Sequence, residues 1–172
     1  MGREKALLPF RGGFLASAVA RAVEGAAGSA VLVGNPALAE AIGYPAIPDL
    51  YPGEGPLGGI LTVLTHTTAE WNLITACDMP ELAAPFLSAL LDAAEASGAD
   101  VLMPQGPSGR PEPLCAVYRR RGREAIEVAF AAGVRRITDA LDGLRAAPHR
   151  ITEITTLENV NTPEDWSRYA AE

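Results

Sequence analysis

The sequence predicts an α/β fold, a mostly parallel sheet with helices on both faces. Short apolar runs alternate along the chain with longer stretches of helical spacing, which is the pattern of such folds. Small residues are abundant, as close helix–sheet packing requires. The chain has 172 residues, 48% hydrophobic and 20% charged. That length suits one domain, and the composition supports a sizeable core rather than disorder.

The first helical stretch covers 12–27, where Phe14, Leu15, Ala18, Val19, Ala22 and Val23 recur at helical spacing. Residues 30–33 are all apolar, end at Gly34-Asn35-Pro36, and read as a buried strand. Residues 36–42 read as a short helix with Pro in its first turn, and 44–48 as a weak strand. Residues 49–56 hold two Pro and two Gly and read as a loop. Helical spacing returns over 57–67. Residues 71–77 read as a strand centred on Leu73-Ile74, with Asp78 at its carboxyl end. A helix is predicted to begin after Pro80, to carry Pro85 in its first part, and to stop at Gly98 after Ser97. Strands follow at 99–104 and 114–118, on either side of a Gly/Pro turn at 105–111. Two helices, 122–132 and 134–144, are divided by Gly133, and a late strand is placed at 150–154. Thr162-Pro163-Glu164-Asp165 is a helix start: an N-cap Thr, Pro in the first position and acids in the first turn.

Charge and composition exclude several functions. Fourteen Lys and Arg against twenty-one Asp and Glu leave a net charge of -7. Coating a nucleic-acid backbone needs a basic face, so no nucleic-acid partner is expected. A small anion remains within reach if a local cation and a metal are supplied. The two cysteines, Cys77 and Cys115, sit in apolar runs; inert buried thiols and a reducing cytosol are the default reading. No apolar run approaches the ~18 residues of a membrane span, and residues 1–8 lack signal-peptide order. His66 and His149 have no zinc-ligand spacing. Arg119-Arg120-Arg121 reads as a solvated strand end. No nucleophile elbow or Walker loop is present.

Ligands of open α/β sheets bind beyond the carboxyl ends of the strands, and four clusters fall at such places. In 2–9, Lys5 beside a glycine can meet phosphate oxygens as a point charge, or can belong to a solvated charged terminus. In 49–60 a loop passes into a helix whose first turn is nearly bare. Gly55, Gly58 and Gly59 either let a planar or anionic ligand approach the backbone, or serve close packing. In 76–80, Asp78 is suited either to a magnesium ion, which takes one or two carboxylates plus phosphate oxygens, or to capping the next helix. In 158–165, Asn159 and Asn161 share one face of an extended stretch. They can hydrogen-bond a polar ligand or satisfy local backbone.

Together these clusters resemble the molybdenum cofactor guanylyltransferase family, part of a nucleotidyltransferase superfamily with a Rossmann-like sheet. The family's Gly, acid and Lys before a hydrophobic pair is matched by 2–8, with Glu4 where Asp is usual. Its PGxGPLxGI stretch is matched at 52–60, its CDMP at 77–80, its EPLCAVY-like strand at 112–118 and its NVNTPED signature at 159–165. The family precedes its Met-Gly with a strand and a glycine-rich LAGGxSxR loop. Residues 1–172 are therefore expected to form a single three-layer domain without that first strand and loop.

The resemblance implies transfer of GMP from GTP to molybdopterin, with pyrophosphate released. It implies Lys5 and Asp78 as catalytic groups, Asp78 as the Mg2+ ligand, and Lys5, Asp49, Gly55, Gly58, Gly59 and Asp78 at the nucleotide. Asn159 and Asn161 are placed where the pterin enters. A cytoplasmic enzyme in transient contact with other cofactor-biosynthesis proteins is expected, with no membrane. Two alternatives stand: a cytidylyl- or sugar-nucleotidyltransferase of the same superfamily, and a non-catalytic homologue that has lost nucleotide binding.

Overall fold

The computed structural model describes residues 5–152 and 155–169. Its central sheet contains β5 (Trp71–Thr75), β7 (Cys115–Arg119), β6 (Val101–Gln105) and β8 (Ala146–Arg150), in that spatial order. β7 is antiparallel to both β5 and β6, and β8 is parallel to β6. Three of the four strands therefore run one way, and the predicted mostly parallel sheet is observed, with a single reversed strand. The reversal follows from the short connection at 105–114: a parallel return needs a dozen or more residues, usually helical.

Alternation along the strands divides the core between the two faces. Ile74, Val101, Met103, Ala116 and Tyr118 point to one face, where α3 (Pro56–His66), α5 (Arg123–Ala131) and α6 (Ile137–Ala140) supply Leu57, Ile60, Leu61, Leu64, Ile126 and Ile137. Leu73, Leu102 and Val117 point to the other face and meet Leu90 and Ala94 of α4 (Ala84–Ser97). Each fully buried Leu or Ile contributes about 1.5–3 kcal/mol relative to exposure. Tyr118 is fully buried because its hydroxyl donates to the carbonyl of Pro113 at 2.7 Å, so no polar atom is stranded.

The amino-terminal part adds two short strand pairs and two helices. β1 (Pro9–Phe10) and β2 (Gly13–Phe14) make a small hairpin before α1 (Leu15–Ala27). Arg11 and Gly12 both have left-handed backbone there, so the helix starts at Leu15 and not at Gly12 as its spacing predicted. β3 (Leu32–Val33) and β4 (Ala46–Ile47) pair in parallel across α2 (Pro36–Ile42). The predicted buried strand at 30–33 is only half-buried, and Val31 is 46% exposed. The cause lies in the topology. Among the described residues β3 pairs only with β4, and β5 only with β7.

A groove of about 660 Å³ separates the two open edges. Leu32 and Gly34 donate to Pro45 and Ile47, so Val33 turns its backbone groups away from β4. The Glu70 carbonyl accepts from Arg120 and the Ala76 amide donates to Leu114, at the two ends of β7, so Trp71, Leu73 and Thr75 turn their backbone groups outward. Val19, Val23, Val33, Trp71 and Leu73 make the groove apolar.

Other boundaries shift for local reasons. α4 begins at Ala84, not after Pro80, because Met79 and Leu82 are drawn into the core between α1 and α4. It ends as predicted at Ser97, with Gly98 left-handed. The helix predicted at 134–144 shortens to α6. β8 lies at Ala146–Arg150 rather than 150–154, and residues 153–154 lie outside the described part. α7 (Pro163–Ser167) has the predicted Thr162 cap, closed into a capping box by Asp165.

Candidate functional site

Lys5 opens a single helical turn, Lys5–Leu7, whose carbonyl accepts the Leu8 amide at 3.1 Å. Leu8 and Phe10 are buried against Leu15 and Val160, which fixes this stretch to the body of the protein. Asp78 lies just beyond β5 in a turn held down by Met79, which is fully buried. The carboxyl-terminal stretch is stitched to the same turn, because the Val160 amide donates to the Asp78 carbonyl at 2.9 Å. Two core residues, Leu8 and Val160, thus carry Lys5 and Asn161 to the end of β5.

The side chains converge there. The Lys5 ammonium donates to Asn161 Oδ1 at 2.7 Å and to Asp78 Oδ2 at 3.3 Å. The other carboxylate oxygen, Asp78 Oδ1, is buried without a hydrogen-bond partner among the described residues, and so is Asn159 Oδ1. Buried acceptors are almost always satisfied, so an orphaned carboxylate oxygen on the partner of Lys5, with a second orphaned oxygen on Asn159, points to a ligand that supplies donors or a cation. The capping alternative for Asp78 does not hold: the N-cap of α4 is Ala83, with no side-chain cap.

The two asparagines differ in role. Asn161 is exposed and positions Lys5, while Asn159 keeps its oxygen in the interior. Residues 2–4 of the first cluster lie outside the described residues.

A divalent ion fits the donor set. Asp78 Oδ1 is a hard, acceptor-only oxygen, and one carboxylate suffices when phosphate and water complete the shell. No group of three or more His, Cys, Asp or Glu able to hold a metal exists among the described residues.

One acid beside this centre escaped the sequence reading. Glu112 is half-buried, and its Oε1 accepts the Leu114 amide at 3.1 Å. Burial pushes its carboxyl above the ordinary range; the Leu114 amide offsets part of this, and the nearby charge of Asp78 adds to it. Its one available signal was its place at the head of the EPLCAVY stretch. Burial, with help from Glu112, pushes the Cys115 thiol up to about 12, which makes it inert. Cys77 is exposed, contrary to the predicted buried thiol, because it lies in the turn beyond β5.

The second cluster stands apart, with no hydrogen bond or ion pair to Lys5, Asp78 or Asn161 among the described residues. Asp49 Oδ1 accepts from the Tyr51 amide at 2.9 Å and from Thr62 Oγ1 at 3.1 Å, so it ties the loop to α3. The three glycines separate by physical need. Gly55 has φ +80°, strained for any L side chain. A Cβ on Gly58 would lie 2.9 Å from Tyr51 Cβ, so packing demands glycine there. A Cβ on Gly59 would meet nothing within 4 Å, so neither backbone nor packing requires glycine and the space beside it is open.

Arg119 pairs with Glu70 and stacks on Trp71, and Arg121 pairs with Asp100, in keeping with a solvated strand end. No helix among the described residues is long and apolar enough to cross a membrane.

Comparison with known proteins gives a consistent result. The profile of the MobA-like NTP transferase domain matches residues 1–146. A protein of Flavobacterium johnsoniae named probable molybdenum cofactor guanylyltransferase is 34% identical over 117 residues, 67% of this chain and 58% of that one. The chain therefore spans about three fifths of that relative's length. A protein of Deinococcus radiodurans with the same name is 32% identical over 169 residues, 95% of this chain and 84% of that one. The crystal structure of molybdopterin-guanine dinucleotide biosynthesis protein A from Archaeoglobus fulgidus superposes with a TM-score of 0.82 at 28% identity, covering 99% of this chain and 90% of that one.

Proposed function

The chain belongs to the family of MobA-like NTP transferase domains, and from this premise we propose that it acts as a molybdenum cofactor guanylyltransferase. In the proposed reaction a phosphate oxygen of molybdopterin attacks the α-phosphorus of GTP. A new P–O bond forms, the bond to the bridging oxygen of the β-phosphate breaks, and pyrophosphate leaves with that electron pair. Both reactants are anions, so the barrier is one of repulsion and positioning, and no protein nucleophile is needed.

The observation that carries the reading is the convergence of Lys5, Asp78 and Asn161, with one carboxylate oxygen of Asp78 buried and orphaned. An ammonium has three donors. Two are held by Asp78 and Asn161, and the third would serve a phosphate oxygen without either contact being broken. Asp78 would hold Mg2+, and the ion when bound neutralises triphosphate charge. Asn159 Oδ1 is suited to a donor such as a pterin N–H. Asp49 would keep the nucleotide loop in place, Gly55 and Gly58 would permit its shape, and Gly59 would leave room for the nucleotide. The substrates are thus GTP and the molybdopterin cofactor. A cytoplasmic setting, with transient contact to other cofactor-biosynthesis proteins, accords with the reading.

We also propose that residues 1–172 form one domain whose groove between β3 and β5 is the seat of the strand expected before Met1. The groove is apolar and flanked by two open edges. The rival readings are a cytidylyl- or sugar-nucleotidyltransferase and a homologue without nucleotide binding. Calorimetric titration with GTP and Mg2+, with CTP as control, separates the readings. Magnesium-dependent heat with GTP and transfer to molybdopterin support the proposal. Binding of CTP instead supports a cytidylyltransferase, and no heat with either nucleotide, from this chain and from the extended version alike, overturns catalysis. An amino-terminally extended version carrying such a strand and loop is expected to bind GTP roughly a hundredfold more tightly, from two or three added buried hydrogen bonds at ~1–3 kcal/mol each.

A further inference from the structure

The loop that leads into α3 turns through two left-handed glycines, Gly53 at φ +83° and Gly55 at φ +80°, with Glu54 between them. Such a segment is soft, since glycine has the largest conformational freedom to lose. The structure holds Glu54 from the segment that follows α5. Arg135 Nε donates to Glu54 Oε2 at 2.6 Å.

Arg135 is ordered before it meets this partner. Its Nη1 donates to the carbonyls of Phe130 and Val134 at 2.8 and 2.9 Å, at the end of α5. Its guanidinium lies 4.0 Å above the Phe130 ring, and that ring stands 4.8 Å from Tyr51 of the same loop. Exposed ion pairs are usually weak because two long side chains must be ordered for one contact. Here one side chain is already fixed by its own helix end, where a cation also meets the negative end of the dipole. The arginine and the aromatic pair therefore grip the loop at Glu54 and at Tyr51, on either side of Gly53.

We propose that Arg135 is a positioning residue for the nucleotide. It holds the 51–55 loop in one conformation, so that GTP meets a formed pocket at the head of α3. The proposal rests on the nucleotide reading of residues 49–60 given above. It assigns Arg135 no contact with the reacting atoms, so its effect falls on nucleotide affinity and not on the chemical step.

The test uses the whole chain and the variants Arg135→Ala, Arg135→Lys and Glu54→Gln. Both partners are nearly half exposed, so their truncation opens no buried cavity, and thermal unfolding verifies that each variant is folded. Two readouts are needed: amide hydrogen exchange over residues 50–57 without ligand, and KM and kcat for GTP. Arg135→Ala and Glu54→Gln should each speed exchange and raise KM about three- to tenfold, with kcat within about twofold. The double variant should be no worse than Arg135→Ala alone, since the pair with Glu54 is already lost there. Arg135→Lys should recover part of the loss. Unchanged exchange overturns the proposal. So does faster exchange with unaltered KM in an active enzyme, or a fall in kcat alone. A wild-type protein that neither binds nor turns over GTP, as this chain and with the upstream strand and loop added, overturns the nucleotide reading and the proposal built on it, even where exchange responds to the substitutions.

Discussion

Replacing Asp78 by Asn separates a chemical role from a structural one. The variant keeps the backbone carbonyl that accepts the Val160 amide and loses no helix cap, because the N-cap position of α4 is Ala83 and not Asp78. What it loses in the fold is the 3.3 Å ion pair with Lys5, whose partners are 33% and 18% exposed. Pairs this accessible contribute about 0–1 kcal/mol. In a domain of this size that shifts Tm by no more than roughly 2–4 °C. The effect on transfer is far larger if the carboxylate holds the ion that neutralises the triphosphate. Losing about 3–4 kcal/mol of transition-state charge stabilisation lowers kcat/KM by roughly a hundred- to a thousandfold. The assay is guanylyl transfer across a magnesium titration, paired with thermal unfolding. Wild-type transfer at saturating magnesium refutes the metal assignment. A collapse of Tm with no folded variant refutes the claim that Asp78 carries little of the fold.

Gly58→Ala and Gly59→Ala should diverge. The first presses a Cβ against Tyr51 and should destabilise by about 1–3 kcal/mol. The second has open space and should stabilise α3 by up to ~1 kcal/mol, yet weaken GTP if the nucleotide lies against that turn. Thermal unfolding and GTP titration check both, and equal Tm shifts would contradict the packing argument. Glu112 has a raised folded-state pKa, so the native state binds the extra proton just above the unfolded value near 4.5. Stability from this group therefore falls as pH rises through that window and stays reduced above it. Glu112→Gln should flatten the decline and be the more stable form at pH 7; urea unfolding at pH 4.5 and pH 7 measures it, and an unchanged slope argues against the buried charge. Thiol labelling of the native protein at pH 8 should be fast at Cys77 and negligible at Cys115 until unfolding. Two fast thiols would mean that Cys115 is not shut in the core.

Elements whose signals are local were legible in the sequence. The Pro36 start, the Gly98 stop and the Thr162 cap each depend on one residue's own φ or hydroxyl, and all three stand where the pattern put them. β8 was misplaced because Ala146-Ala147-Pro148-His149-Arg150 has no β-branched residue. It is a strand because the open edge of β6 accepts it in parallel register. The half-exposure of β3 was hidden for the same reason, since burial of a strand is decided by its neighbours.

The candidate site divides in the same way. By residue type and by position after a strand, the sequence alone singled out Lys5, Asp78 and the two asparagines. It could not tell that Lys5 would touch a residue 156 positions away, that Asp78 would cap nothing, or that Glu112 would stand beside it. Caps, turns and periodicity are properties of a few neighbouring residues, so the sequence determines them by itself. Which distant side chains share one pocket is decided only when Leu8 and Val160 are buried together in a common core, and that is a property of the tertiary fold.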